Sequence, residues 1–203
     1  MKTLDREFYN RDSVIVAKEL LGKVLVHETG GQKIAAKIVE AEAYMGIGDK
    51  AAHSYGGKRT PRTEVMYGGP GFSYIFTVYG MYRCFNIVTR EKGNPQAVLI
   101  RAAEPVEGLE LMARNRFGKR YEQLTKSQIR GLTNGPGKLC GALWIDKSFN
   151  GVDLCGNQIY VEESENEEFT TISAKRVGVD YAEEAKDYPW RFYIAGNEYV
   201  SVK

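Results

Sequence analysis

A Gly-Gly pair at residues 30–31 separates two apolar runs, KVLVHE at residues 23–28 and KIAAKIVEAEAY at residues 33–44. Glycine adopts the positive φ angles of a tight turn without steric cost, so this stretch predicts a β-hairpin with a long second strand. Because side chains alternate across a strand, Glu40 and Glu42 share one face, and small apolar residues occupy the other. The hairpin therefore presents two carboxylates together.

Cap and turn signals predict the elements around this hairpin. Helices are expected from Asp12, as the N-cap, through Leu21, from Pro105 to about Arg116, and from an Asn134 cap over Pro136 to about Leu143. Strands are expected at 73–78, 83–89, 97–103 and near 158–162, 171–177 and 190–195. We therefore expect an α+β fold, a single domain over residues 1–203 with a curved, largely antiparallel sheet, surrounding helices and a protruding β-hairpin.

Composition excludes several classes of protein. Of the 203 residues, 43% are hydrophobic and 27% are charged, which is typical of a folded globular chain. The net charge of +2 is too small to indicate nucleic-acid binding by itself. No apolar run approaches the roughly 20 residues that span a bilayer, so we expect a cytoplasmic protein, associated with the nucleoid if bacterial, without membrane contact. Three widely spaced cysteines and two histidines predict neither a disulfide framework nor a metal site.

A glycine-rich segment from residue 45 to about residue 70 is far longer than the connections of about 4 to 6 residues that compact domains prefer. It carries His53 and the basic residues Lys58, Arg59 and Arg62. Position alone leaves two readings for each: His53 contacts a ligand or makes one local hydrogen bond, and the basic residues contact phosphates or are simply solvated. Acidic residues gather elsewhere, at residues 162–168.

Aromatic residues accompany the carboxylates. Glu42, close to Tyr44, could act as a general base on water, although an edge strand with solvated glutamates fits the same pattern. Tyr79 and Tyr82, between strands 73–78 and 83–89, either pack on a neighbouring loop or form a wedge that enters the minor groove of DNA. With Phe76 they would complete an aromatic slot for a flipped base.

Two polar residues interrupt apolar strands. Arg101 is expected either to pair with a carboxylate or to face a cleft, because an unpaired buried cation is costly. Asn86 is either a structural amide or one that reads a base. The sequence contains no P-loop, no Ser-His-Asp order and no signature of a nucleophilic cysteine, which argues against nucleotide hydrolysis and covalent acyl transfer.

The chain closely resembles the alkyladenine DNA glycosylases, also called mammalian-type 3-methyladenine DNA glycosylases. The resemblance covers nearly the whole chain and rests on blocks in the same order: IVEAEAY, AAHS, GGKRTPR, YGMY, FNI, VLIRAAEPVEG, NGPGKLC, DKSF, RVGV, RFYI and a terminal VSV. It implies a monofunctional DNA glycosylase of base excision repair that acts on flipped-out alkylated or deaminated purines, namely 3-methyladenine, hypoxanthine and ethenoadenine. The implied partner is double-stranded DNA containing damaged purines, bound by a monomer with no cofactor and no obligate protein partner.

The resemblance also implies residue roles. Glu42 activates the attacking water, with Glu40 in support. The base is contacted by Tyr44, His53, Phe76, Asn86 and Arg101, and Tyr79 intercalates. Separately from the resemblance, the basic cluster Lys58, Arg59 and Arg62 supplies candidates for contacts to the DNA backbone. Phe76 replaces a tyrosine of the best-known relatives, so a hydroxyl contact is lost. Two alternatives remain open at this point: a noncatalytic module that binds damaged DNA, and a hydrolase of free nucleosides.

Overall fold

The computed structural model describes residues 2–164 and 167–202, so residues 165 and 166 of the acidic run lie outside the described residues. The described strands are β1 (Val24–Thr29), β2 (Gln32–Tyr44), β3 (Ser73–Val78), β4 (Tyr82–Thr89), β5 (Gln96–Glu107), β6 (Ile159–Glu162), β7 (Thr171–Ala174) and β8 (Arg191–Ile194). The described α-helices are α1 (Arg6–Tyr9), α2 (Ser13–Glu19), α3 (Leu109–Phe117), α4 (Lys126–Arg130) and α5 (Pro136–Ala142).

The strands form one antiparallel sheet in the order β3-β4-β5-β2-β1-β6. β1 pairs with β2 up to Lys37, and β8 then takes over the same edge of β2 at residues 40–42, with β7 on its outer side. Register shifts between β2 and β5 at residues 38–41 mark β-bulges, which bend a strand. The sheet curls into a half-barrel, and the predicted α+β fold is confirmed.

β2 is consequently a central strand. β5 covers one edge of it, and β1 and β8 cover the other. Glu40 and Glu42 are both 0% exposed. The reading of β2 as an edge strand with solvated glutamates is therefore wrong, because its neighbours leave no solvent-facing edge beside these two residues.

The core lies between the sheet and helices α2, α3 and α5. α2 is capped as predicted, since the Asp12 carboxylate accepts a hydrogen bond of 2.9 Å from the backbone N–H of Val14. Its last helical residue is Glu19 rather than Leu21, although Leu20 and Leu21 still enter the core. In the described part of the chain, no helix combines the length and apolar character that a membrane crossing requires.

One predicted helix start and one predicted N-cap are wrong. Pro105 lies inside β5, and α3 begins only at Leu109, after Gly108 turns the chain with a φ of 76°. β4 pairs only with residues 96–99 of β5, so the strand is open on that edge near Pro105 and tolerates a residue without an N–H. At α5 the N-cap is Gly135 rather than Asn134. The Asn134 side-chain oxygen instead accepts a hydrogen bond from the Lys138 ammonium at 2.8 Å.

The hairpin of β3 and β4 protrudes as expected. Val78 pairs with Tyr82, so Tyr82 belongs to β4 and the connection consists of residues 79–81. Tyr79 has a φ of 52° and is 87% exposed. Packing of Tyr79 against a neighbouring loop is therefore excluded, and its ring stands free at the tip.

Candidate active site

A cavity of about 550 Å³ opens between the β3–β4 hairpin, the long segment after β2 and the segment after β7. Its volume lies within the range of about 300 to 1,000 Å³ that small-molecule sites occupy. Most residues singled out in the sequence line it: Tyr44, His53, Arg62, Phe76, Tyr79, Asn86 and Arg101. The structure adds Tyr74, Tyr181 and the backbone of residues 177–179 to the wall. The folded chain thus brings distant sequence motifs to one cavity.

Glu42 lies directly behind this wall rather than in it. One carboxylate oxygen accepts a hydrogen bond of 2.8 Å from the Tyr44 hydroxyl. The other accepts one of 2.7 Å from the Val177 backbone N–H and lies 3.4 Å from the Arg101 guanidinium. Tyr44, Val177 and Arg101 all line the cavity, so each partner of the carboxylate is part of the cavity wall.

The environment of Glu42 sets its proton affinity. Burial raises the pKa of the Glu42 carboxyl above its ordinary value, whereas the charge of Arg101, the Val177 N–H and the Tyr44 hydroxyl act in the opposite direction. Burial and the neighbouring Glu42 charge also raise the pKa of Tyr44, which keeps its hydroxyl protonated and able to donate. The result is a carboxylate of increased basicity that retains three stabilising partners.

Glu40 lies two residues before Glu42 on the same face of β2 and binds the residues around the site instead of lining the cavity. It accepts hydrogen bonds from Arg101 Nε at 3.3 Å and from Arg191 Nη1 at 2.8 Å. Its second oxygen accepts one from the Ser201 backbone N–H at 2.7 Å. Both readings of Arg101 are therefore correct, because its guanidinium pairs with the two buried glutamates and also faces the cavity.

His53 and two aromatic rings form the opposite wall. His53 Nδ1 lies 2.8 Å from the Tyr74 hydroxyl, and its Nε2 lies 3.1 Å from Arg62 Nη2. A guanidinium has no acceptor, so Nε2 accepts and the ring proton sits on Nδ1. Phe76 meets His53 edge to face at 4.6 Å and lies 5.6 Å from Tyr74. Burial, assisted by Arg62 and Lys58, lowers the pKa of His53 to about 4, so the imidazole is neutral near pH 7.

Asn86 has the structural role that its strand position predicted, and it also lines the cavity. It is 3% exposed, and its amide nitrogen donates to the carbonyl oxygens of Tyr74 at 2.9 Å and Cys84 at 3.3 Å. These bonds fix the orientation of the amide on β4. The same residue lines the cavity, so a rigid amide contributes to the cavity wall.

The sequence reasoning missed a buried ion pair between Asp49 and Arg176. Arg176 donates to the two carboxylate oxygens of Asp49 at 2.5 and 2.8 Å and to the Ala43 carbonyl at 3.0 Å. Its guanidinium lies over the rings of Tyr44 and Trp190, at 4.8 and 5.1 Å from their centroids. The one available signal was a cation inside the apolar run RVGV, and the partner, 127 residues away, left none.

The basic residues of the long segment separate into two groups. Arg59 forms a two-pronged pair with Glu64 at 2.8 and 2.6 Å and stacks over Tyr67, outside the cavity wall. Lys58 is also exposed there, whereas Arg62 turns toward the cavity. Among the residues described, no cluster of three or more histidines, cysteines or carboxylates could hold a metal ion.

Comparison with known proteins identifies similar chains. The sequence model of the methylpurine-DNA glycosylase family matches residues 7–198. A protein of Desulfitobacterium hafniense (strain Y51) is 75% identical over 100% of both chains. One of Clostridium acetobutylicum is 59% identical over 98% of this chain and 97% of the relative, and one of Alkaliphilus oremlandii (strain OhILAs) is 54% identical over 98% and 99%. All three are provisionally named 3-methyladenine DNA glycosylase.

Proposed function

The chain belongs to the methylpurine-DNA glycosylase family, and from this premise we propose that it hydrolyses the N-glycosidic bond of alkylated or deaminated purines in double-stranded DNA. The observation that carries the proposal is the placement of Glu42, a buried carboxylate directly behind an aromatic cavity that is large enough for a nucleobase. A base inside a duplex is inaccessible to this carboxylate, so the damaged nucleotide turns out of the helix into the cavity.

The cavity wall suits a purine, particularly one made cationic by alkylation. Tyr44 and Phe76 offer ring faces for stacking, and a positive charge is attracted to such faces. Neutral His53 supplies polar contacts without repelling a cationic base. The exposed ring of Tyr79 is placed at the hairpin tip, where it can fill the gap that the departed nucleotide leaves in the stack.

Glu42 acts as the general base in this proposal. A carboxylate has about four lone-pair positions; Tyr44 and Val177 donate hydrogen bonds to two of them, and the Arg101 guanidinium lies beside a third in an ion pair. The fourth can accept a hydrogen bond from a water aimed at C1′ of the sugar. As the C1′–N9 bond lengthens toward an oxocarbenium-like state, the carboxylate charge stabilises the developing cation. The water oxygen then bonds to C1′, Glu42 takes the water proton, and the base leaves with the electron pair of the broken bond.

We further propose that the enzyme releases the base without cutting the DNA strand. Water, rather than an amine, is the nucleophile, because none of the described residues lining the cavity is a lysine. Lys58 and Arg59, which lie outside the cavity, are the proposed contacts to phosphates. One nucleotide fills one cavity, so a monomer is sufficient for the reaction.

For the substrate range we propose 3-methyladenine first, because a base that carries positive charge departs readily, with hypoxanthine and ethenoadenine as neutral substrates that require more help from the cavity. The amide of Asn86, held by two backbone carbonyls, cannot swing aside for the 2-amino group of guanine. Phe76 has no hydroxyl to contact a lesion, so stacking alone discriminates at that position.

Glu42→Gln tests the proposal. Glutamine keeps the size of the side chain, and its carbonyl oxygen can still accept from Val177 while its amide donates to the Tyr44 oxygen, so the fold should persist. We expect single-turnover excision from a 3-methyladenine or hypoxanthine duplex to fall about 100- to 10,000-fold, the usual range for loss of a general base, with binding to the lesion retained. Undiminished excision would refute the role of Glu42.

Two controls complete the experiment. Glu40→Gln makes the same chemical change in an equally buried residue that does not contact Val177, and we expect a smaller loss of rate. Thermal unfolding of both variants separates loss of chemistry from loss of fold. Release of hypoxanthine from a duplex is compared with its release from free inosine, and a preference for inosine would replace this proposal with that of a nucleoside hydrolase.

A further inference from the structure

Arg62 occupies part of the cavity that the proposed function assigns to a base. Its guanidinium carbon lies 5.1 Å from the centroid of the Phe76 ring, within cation–π range. Both residues line the cavity, so the covered ring surface is surface that an entering base would otherwise use.

The same guanidinium also engages the polar group of that wall. Arg62 Nη2 donates to His53 Nε2 at 3.1 Å, and the other ring nitrogen of His53 is already held by the Tyr74 hydroxyl. The acceptor that His53 could offer to an N–H group of a purine is therefore taken. An apolar face and a hydrogen-bond acceptor, two independent recognition elements, are both engaged by one side chain.

The attachment of Arg62 is otherwise weak. Its side chain is exposed, and none of the carboxylates among the described residues pairs with it, in contrast to Arg59, which Glu64 holds by two hydrogen bonds. A solvent-exposed cation whose neighbours His53, Tyr74 and Phe76 are all neutral rings can leave them at small cost. Arg62 is thus able to move when a better occupant arrives.

We propose that Arg62 is a displaceable occupant of the base slot, a planar cation that fills the site until a purine drives it out. The inference rests on the proposed function for the identity of the entering ligand. When Arg62 is displaced, the Phe76 ring loses its cation–π contact. An alkylated purine with a positive charge restores such a contact, whereas a neutral purine does not. Displacement of Arg62 therefore lowers the affinity of the slot least for cationic lesions.

Binding of a free base measures this threshold without contributions from phosphate contacts. When only a fraction of molecules has an open slot, the apparent affinity falls by that fraction. A cation–π contact together with one hydrogen bond corresponds to about a 10-fold effect. We expect Arg62→Ala to bind free hypoxanthine about 10-fold more tightly than the wild type in a calorimetric titration. Arg59→Ala, which removes the same charge from the same segment, should leave the affinity unchanged.

Methylguanidinium added to Arg62→Ala replaces the missing guanidinium group. It should compete with hypoxanthine for the slot and lower the apparent affinity for hypoxanthine toward that of the wild type. The same addition should have little effect on hypoxanthine binding by Arg59→Ala. Unchanged or weaker hypoxanthine binding by Arg62→Ala would overturn the inference, as would a failure of methylguanidinium to compete.

The outcome is separable from that of the proposed function. Excision from a lesion duplex by the wild type, measured in the same series, tests the glycosylase activity alone. Normal excision with unchanged hypoxanthine binding in Arg62→Ala would reject the displaceable occupant and leave the glycosylase proposal intact. Tighter hypoxanthine binding by Arg62→Ala, without any excision by the wild type, would support the displaceable occupant and reject the glycosylase proposal.

Discussion

Arg101→Met removes the cation that faces both buried glutamates while keeping an unbranched side chain of similar length. Burial raises the pKa of Glu42, and the charge of Arg101 is the largest influence in the opposite direction. Across the 3.4 Å between Arg101 Nη1 and Glu42 Oε1, two unit charges interact by about 5 kcal/mol at an effective dielectric constant of about 20. The Val177 and Tyr44 hydrogen bonds remain, so we expect the pKa of Glu42 to rise, but by less than the full Coulomb energy implies.

The sign of the activity change follows from the role of Glu42. A general base must be ionised, so the excision rate rises with pH through its pKa. A higher pKa moves this rising limb to higher pH, so at any pH on the limb the variant excises the base more slowly than the wild type does. The stability of the fold depends on protonation of the same carboxyl. Because the folded-state pKa of Glu42 is raised, its contribution to the free energy of unfolding is fully present below the unfolded-state pKa and is lost as pH rises through the folded-state pKa. Arg101→Met raises the folded-state pKa further and therefore extends this pH window upward.

Single-turnover excision, followed from about pH 5 to about pH 9, measures the rise of the excision rate with pH directly, because product release does not contribute to a single-turnover rate. Arg191→Met is the matched control. It removes a buried cation that lies 2.8 Å from Glu40. Arg191 is the strand partner of Glu42, but the ion pair of its guanidinium is with Glu40, so the rising limb should move less than in Arg101→Met. If Arg101→Met folds and its limb coincides with that of the wild type, the electrostatic account of Glu42 is refuted.

Two further expectations concern the hairpin tip and the buried ion pair. Tyr79→Ala should weaken binding to a lesion duplex more than binding to an undamaged duplex, because the ring is 87% exposed in the free protein and is available to fill the gap left by a flipped nucleotide. Fluorescence anisotropy measures both affinities. Equal losses would contradict the role of Tyr79 as a wedge. Asp49→Asn leaves the Arg176 guanidinium buried without its counter-charge and should lower the free energy of unfolding in urea by about 3 to 5 kcal/mol, whereas a loss below about 1 kcal/mol would show that the pair is not needed.

Local signals predicted most of the strands. Alternation and turn glycines located β1, β2, β3 and β4 within one residue, because a strand with a Gly-Gly or short aromatic turn is specified by its own residues. The helix start at Pro105 and the N-cap at Asn134 were wrong for a common reason. Whether a proline tolerates a strand, or an asparagine caps a helix, depends on which backbone groups the neighbouring strands and side chains leave unpaired.

The chemistry of the cavity was visible in the sequence as residue types. The carboxylate of Glu42, the aromatic Tyr44 and Phe76, and the lone cation Arg101 each stood out against their surroundings, and the order of the motifs identified the family. The type of a residue determines which chemistry its side chain can perform. A carboxylate beside a tyrosine on a strand is therefore already a candidate general base in the sequence.

Only the tertiary structure decided which of these groups meet. β8 closes the edge of β2 and buries both glutamates, and the chain after β7 delivers the Val177 N–H to Glu42 across 135 residues. The Asp49–Arg176 pair and the insertion of Arg62 against Phe76 depend in the same way on contacts between segments whose local sequences do not refer to one another. Burial and partner identity are properties of the packed chain, and they raise the pKa of an otherwise ordinary glutamate.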